Sequence, residues 1–407
     1  MKKNYRWLYL PVEVKVREMD AKLLLAYYAV KSDYHVIIGD HVMVEKASEK
    51  YPKGIFFSKG GPHGFRERII TQAIKNNHKV VELDEEGLIF NEKLYIIDRM
   101  RKDMLELVTQ EYCWGEYQKE VIAKYHPDLI NKCHVVGNPR LDLLTPKYRE
   151  LYREDVENLK NSYGDFILIN TRFAKYNTLK GKKETALNQE IKRLYDCFIE
   201  MIHKLSKQFS NITIIIRPHP LENSTSYRKE FANYSNVHVI HEGNIIKWLM
   251  AAKAIIHNGC TSGIEAFFLE RPLITYIPFQ SNETIISNQL GEKARNINEI
   301  ITYLKNIFSN NYKVDLQKGS EVFKYCYWSK DHYAYSSILQ LCNQISLSSP
   351  PLKEFSFIQY QYKKKRIFSL THSEILSFFN KLDEIEGNQS FISIQSIGKN
   401  IYLIHST

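Results

Sequence analysis

The chain has 407 residues, 44% of them hydrophobic and 25% charged, with 27 Tyr, 20 Phe and a formal net charge of +10. This excludes a disordered chain, and the length asks for two α/β domains plus a smaller piece rather than one core. The positive balance suits nucleic acid, an anionic membrane face or phosphorylated substrates. No zinc-finger, RNA-recognition or basic-zipper pattern accompanies it, so nucleic acid is not expected.

The predicted elements begin with a short apolar strand at 7–12 (WLYLPV) and a helix opening at Asp20 as N-cap. Strands follow at 35–40, 54–60 and 79–83, with a helix at about 64–77, and two more strands at 111–115 and 133–139. Strands separated by helix-length segments imply parallel βαβ units. Residues 139–163 are charged and helical, a connector. The alternation restarts at FILIN (166–170). Cys197, Phe198, Met201, Ile202, Leu205 and Phe209 then share one helix face. Strands at 212–217, 236–241, 254–259 and 272–276 complete a five-strand pattern, with helices at 245–252 and from about 262. Their near-continuous apolar runs predict a sheet covered on both faces. SLSSPP (346–351) reads as a linker. Beyond it, a helix with a Thr371–Glu374 capping box and a strand pair around 397–400 suggest an appendage. The expected domains are therefore 1–145, 146–345 and 346–407.

Six cysteines lie at 113, 133, 197, 260, 326 and 342, without a CxxC pair, which points to reduced thiols in a reducing compartment. No signal peptide or spanning segment is legible, so the expected location is the cytoplasm, with peripheral membrane contact at most. The basic aromatic run from Tyr360 to Arg366 suits anionic headgroups, or else a strand edge protected by lysine.

Ligands of parallel sheets bind beyond the carboxyl ends of the strands, so the loops there carry the candidates. Arg217-Pro218-His219-Pro220 follows an apolar strand, and both Arg and His donate to phosphate oxygens. His257 to Gly263 brings Asn258, Gly259, Thr261 and Ser262 to a helix N-terminus suited to phosphate, with Glu265 placed for ribose hydroxyls. His241-Glu242-Gly243-Asn244 can read a base or ribose edge, or simply cap the next helix. In the first domain, Asp84-Glu85-Glu86-Gly87 sets three acids in a row. Mutual repulsion is expected to raise one of them into the range of a base, unless the run is a solvated turn. Lys15 and Arg17 (with Glu13 and Glu18), and Lys59 and His63 in a glycine-rich loop, are acceptor-side candidates. Gly115 and Gly137-Asn138-Pro139-Arg140 shape the interlobe region or form plain turns. No metal constellation, Walker A loop, Rossmann glycine fingerprint or nucleophile elbow is present, and neither a metal nor a cofactor is expected.

These motifs resemble those of GT-B glycosyltransferases, and more closely bacterial sialyltransferases and Kdo transferases. Glu85-Glu86-Gly87 stands for their acidic-acidic-Gly motif and His219-Pro220 for their His-Pro motif. The span from Leu10 to about Pro278 (PVEVKVREMDAKLLLA, DEEGL, GNPRLDLL, ILINT, RPHPLEN, HVIHEGN, HNGCTSGIEA) is similar to bacterial surface carbohydrate biosynthesis proteins. The resemblance implies two Rossmann-like parallel-sheet domains facing a cleft. It implies metal-independent transfer of a CMP-activated acidic sugar, of the Kdo or sialic-acid kind, to a polysaccharide, lipopolysaccharide or lipid-linked acceptor. The likeness to sialyltransferases makes Glu85 or Glu86 the base and His219 the phosphate ligand, whereas the likeness to Kdo transferases implies a double displacement with a carboxylate nucleophile. A 2-epimerase, a CDP-glycerol-type glycerophosphotransferase and a non-catalytic nucleotide-sugar binder remain alternatives.

Overall fold

The computed structural model describes residues 6–89, 91–280, 285–347, 356–360 and 368–407. The chain divides into two compact units, Met1–Leu151 with Phe323–Thr407, and Tyr152–Val322.

The first part of unit 1 contains β1 (Arg6–Val12), β2 (Tyr34–Asp40), β3 (Ile55–Ser58), β4 (Lys79–Leu83), β5 (Gln110–Cys113) and β6 (Cys133–Val135). All pair in parallel, in the order β2-β1-β3-β4-β5-β6. The order reverses between β1 and β3, the switch point where a doubly wound sheet opens a crevice for ligand. Its strands are apolar on both faces because helices cover both, which is why they read as continuous hydrophobic runs. Among its buried polar residues, Glu82 and Glu111 meet the buried Arg66 between them.

Unit 2 contains β7 (Phe166–Asn170), a short hairpin of β8 (Asn177–Thr178) and β9 (Gly181–Lys182), and then β10 (Thr213–Arg217), β11 (Val237–Val239), β12 (Ala254–His257), β13 (Leu273–Tyr276) and β14 (Glu292–Ala294). The main sheet runs β11-β10-β7-β12-β13-β14, all parallel. This is the order of a dinucleotide-binding sheet, with its switch between β7 and β12. One strand more than expected is present. β14 is three residues long and carries two charges, so it has no apolar run to announce it. The helix Gln189–Gln208 packs Leu194, Phe198, Met201, Ile202 and Leu205 onto the sheet, as its period predicted.

The expected separate appendage is instead part of unit 1. β15 (Ile392–Gly398) and β16 (Ile401–Ser406) form an antiparallel hairpin, and β16 pairs with β2, completing an eight-stranded sheet. The helix His372–Glu386 carries the expected capping box. It lies against the helix Lys15–Lys31, where Tyr27 donates to Asp383 at 2.5 Å and packs edge-on against Phe379. The domain boundaries at 145 and 345 therefore give way to 151 and 322. The physical reason is the open edge of β2, whose backbone groups need a partner. The basic run at 361–366 lies outside the described residues. We expect removal of 368–407 to abolish folding of unit 1, read as loss of soluble protein and of a cooperative melt. Ile375, Phe379, Leu382, Ile401, Leu403 and Ile404 are all buried by this segment. At roughly 1.5–3 kcal/mol each, their loss matches the ~5–15 kcal/mol that holds a domain together.

Candidate functional site

Most of the unit 1 candidates assemble at the β1/β3 switch point. Lys59, following β3, reaches Glu13, following β1, at 2.6 Å, and lies 3.7 Å from Glu18. Glu18 is fully buried and accepts the backbone N–H groups of Glu13 at 2.9 Å and Val14 at 3.2 Å, closing the first turn of the helix Lys15–Lys31. The helix therefore starts at Lys15, and Asp20 lies within it rather than capping it. Gly60 turns the chain at φ +69°, where a Cβ would lie 2.8 Å from Asp84 Cα; this lets the β3 and β4 loops touch.

The three acids separate by environment. Asp84 accepts from Arg99 at 2.7 Å and from the Glu86 N–H at 3.0 Å, and its carbonyl accepts from the Trp114 indole at 2.7 Å. Burial, more than its neighbours' charge, raises its carboxyl to about 6. Glu86 is exposed and pairs with Arg17. Glu85 is buried, with Lys22 at 3.3 Å. Burial opposes its ionisation, but Lys22, Arg140, Arg17 and Lys59 outweigh burial and hold it below the usual carboxylate range. Mutual repulsion is thus not what sets these groups, because each acid has its own cation. Glu85 Oε2 is buried without a hydrogen-bond partner among the described residues.

Sequence reasoning passed over Lys22. Its signal was a lone cation inside the apolar run AKLLLA, four residues after Glu18 on the same helix face. It stacks its ammonium over Phe57 at 4.1 Å. Arg140, named as a cleft-shaping residue, stacks over Trp114 and is buried in this cluster. Two other candidates stand elsewhere. Lys15 pairs with Glu374 of the C-terminal helix, and His63 opens the helix His63–Lys75 and faces Glu67 at 3.5 Å.

In unit 2, the loops after β7 and β12 interlock across the switch point. Asn170 donates to Ser262 Oγ at 2.9 Å. Arg172 donates through Nε to the Asn258 carbonyl at 2.8 Å and through Nη2 to Asn258 Oδ1 at 3.2 Å. Gly259, at φ +61°, leaves room for the guanidinium; a Cβ there would lie 2.6 Å from Arg172 Nε. Its N–H donates to Asn288 at 2.6 Å. Glu265 is buried one turn into the seven-residue helix Ser262–Phe268, with Thr261 preceding it.

Arg217 does not offer its fork to a ligand. Its Nη1 and Nη2 donate to the carbonyls of Glu242 at 2.8 Å and Gly243 at 3.0 Å, and its plane lies over Trp248 at 5.1 Å. Burial lowers it to about 10. The Glu242-Gly243 turn is thereby a structural clasp, Glu242 faces solvent, and Asn244 caps the helix Ile245–Ala251 through Ile246 N–H at 2.9 Å.

His219 is half-buried, beside exposed Pro220. Its Nδ1 accepts from the Leu221 N–H at 3.2 Å, so the neutral ring carries its proton on Nε2. The loop is held by Glu222, which was missed. Buried Glu222 accepts from Thr171 at 2.8 Å, Tyr227 at 2.6 Å, and the backbone N–H groups of Phe173 at 2.9 Å and His219 at 3.1 Å. Its signal was a carboxylate three residues beyond His219 in a stiff turn.

His257 is fully buried at the end of β12, with Thr275 Oγ1 at 3.1 Å from Nε2. Burial, then Arg172, lowers it to about 3. A base depressed in the fold contributes stability that is present above its unfolded value of about 6.5 and is lost as pH falls through 3. We expect urea unfolding of His257→Gln to show a shallower loss of stability between pH 6.5 and 3 than wild type, a difference on the order of a few kcal/mol.

Among the described residues, no group of three or more His, Cys, Asp or Glu side chains is placed to hold a metal ion, and no helix is long and apolar enough to cross a membrane.

Two Rossmann-like parallel-sheet units, each with its strand-end cluster at a switch point, define a GT-B-like α/β fold. Solved structures agree. The UDP-GlcNAc 2-epimerase of Methanocaldococcus jannaschii, in complex with UDP-GlcNAc and UDP, matches with TM-score 0.55 and 15% identity over 84% of this chain and 99% of its own. A UDP complex of S. aureus MnaA matches with TM-score 0.52 and 12% identity over 84% and 97%. The wall teichoic acid polymerase TagF matches with TM-score 0.53 and 12% identity over 84% and 89%. No protein-family model and no curated protein matches the chain.

Proposed function

We propose that the protein is a metal-independent glycosyltransferase that holds a nucleotide sugar on unit 2 and activates an acceptor hydroxyl on unit 1. The observation that carries this reading is the placement of the two clusters at the switch points of the two sheets, where ligands of such sheets bind.

On unit 2, His219 Nε2–H, Arg172 and the 258–262 loop are assigned to the phosphate, and Glu265 to the ribose. Arg217 acts through the clasp it builds. On unit 1, Glu85 is assigned as the base. The acceptor O–H proton passes to its Oε2, the acceptor oxygen bonds to the anomeric carbon, and the sugar–phosphate bond breaks. The nucleotide then leaves with the bond's electron pair, neutralised by the unit 2 donors. Ionised Glu85 is ready to accept a proton, and its four cations cost it basicity. A hydroxyl on Oε2 would also satisfy an atom that otherwise lies buried without a partner.

A CMP-activated acidic sugar is the donor we favour, supported by the pairing of Glu85-Glu86-Gly87 with His219-Pro220, each at a strand end. A surface saccharide, free or lipid-linked, is the acceptor. The second reading is a 2-epimerase, favoured by neighbours described as UDP-GlcNAc 2-epimerases. A thermal-shift screen with CMP, CDP, UDP, GDP and ADP separates the two, since a ligand of the folded state raises its melting temperature by mass action. A CMP-selective shift is expected; a UDP-selective shift transfers the case to the epimerase or to a UDP-sugar transferase.

A further inference from the structure

The hairpin of β8 and β9 is fastened to the segment that follows His219. Thr178 bridges antiparallel to Glu222, so Leu179 and Leu221 each lie one residue from the bridge. The Asn223 N–H donates to the Asn177 carbonyl at 3.1 Å, Asn177 Nδ2 returns to the Asn223 carbonyl at 3.1 Å, and Ser226 donates to Asn177 Oδ1 at 2.9 Å. The tip is therefore rigidly placed, yet what it displays is apolar. Leu179, in the turn between Thr178 and Gly181, is 65% exposed, and Leu221 is 60% exposed. Turns of this kind are ordinarily polar, and nothing in the hairpin's own packing calls for leucine.

The hairpin and the residues flanking it in sequence also carry Lys175, Lys180, Lys182 and Lys183, all exposed. Among the described residues none of the four pairs with a carboxylate; Lys182 lies over the rings of Tyr176 and Tyr195. The nearest exposed acid in sequence, Glu184, is paired with Lys192. We propose that this tip is the surface by which unit 2 docks on an anionic lipid bilayer, the leucines entering the interface and the lysines meeting headgroup phosphates. A soluble polyanion would use the lysines and leave the two leucines in water. An anionic membrane uses both.

The test is sedimentation of the full chain with phosphatidylcholine vesicles and with vesicles containing about a third phosphatidylglycerol. Wild type is expected to partition onto the anionic vesicles only. The triple change Lys180→Gln/Lys182→Gln/Lys183→Gln should lower partitioning by roughly 100-fold, at about fivefold per lysine. Leu179→Ser/Leu221→Ser should lower it about tenfold, with unchanged melting temperatures. Three results overturn the proposal. The first is wild type ignoring anionic vesicles. The second is the lysine variant partitioning like wild type, which places any binding elsewhere, as at Lys363–Arg366. The third is the leucine variant partitioning like wild type while heparin competes, which makes the tip a polyanion site. No nucleotide enters the measurement, so its failure leaves the glycosyltransferase reading standing.

Discussion

Replacing Glu85 with Gln is expected to lower turnover by about 10³-fold while leaving nucleotide affinity within about twofold, because a general base acts in the transition state and not on the bound donor. The same change carries a structural cost that must be separated from the chemical one. Lys22 lies 3.3 Å from Glu85 and both are buried, so the amide leaves an ammonium uncompensated, at about 3–5 kcal/mol. Adding Lys22→Met removes that charge and should restore most of the melting temperature. If turnover returns together with stability, Glu85 is only an ion-pair partner. If stability returns and turnover does not, the carboxylate is the base. Asp84→Asn should behave differently, since Asp84 holds Arg99 and the 84–86 turn.

The second large effect is expected at Glu222. Glu222→Ala strips the acceptor from two hydroxyls and two backbone N–H groups in a buried setting. Unmet donors cost about 1–3 kcal/mol each before relaxation, so a net loss of roughly 3–5 kcal/mol of unit 2 stability follows. Nucleotide affinity should fall as well, because both the β7 loop and the His219 loop hang on this one carboxylate. Glu222→Gln keeps one acceptor oxygen but turns an NH₂ toward donors. It should fall between wild type and Ala in a urea melt.

The parallel sheets were legible because period and burial agree: FILI (166–169) and III (214–216) are apolar runs buried on both faces. Strand order is what makes those strand ends meaningful, and it depends on pairings between segments far apart in sequence. The docking of 392–406 onto β2 was hidden for the same reason. A capping box and a hairpin are local signals, but which sheet edge receives the hairpin is not.

The candidate clusters drew attention by residue type, and the structure gives several of their members other partners than expected. Arg217 looked like a phosphate fork because its two acceptors, the carbonyls of Glu242 and Gly243, belong to backbone and carry no side-chain signature. The same is true of Asn244, whose cap is a local bond to Ile246. In the acidic run, counting charges predicted repulsion. The structure instead supplies one cation to each acid, Arg99 from the end of the helix Glu92–Asp98 and Lys22 and Arg17 from the helix Lys15–Lys31. Arg172 and Glu222 escaped notice because each looks ordinary alone; one leans on a glycine 87 positions later, and the other gathers donors from two loops.

The proposed reaction requires a nucleotide phosphate held at the His219 loop of unit 2. Calorimetric titration of CMP into wild type and into His219→Ala addresses it directly. The predicted result is a saturable CMP isotherm in wild type, weakened at least tenfold in the variant with the melting temperature of the free protein unchanged. Equal affinity in the two proteins, or no CMP binding to wild type, would contradict it.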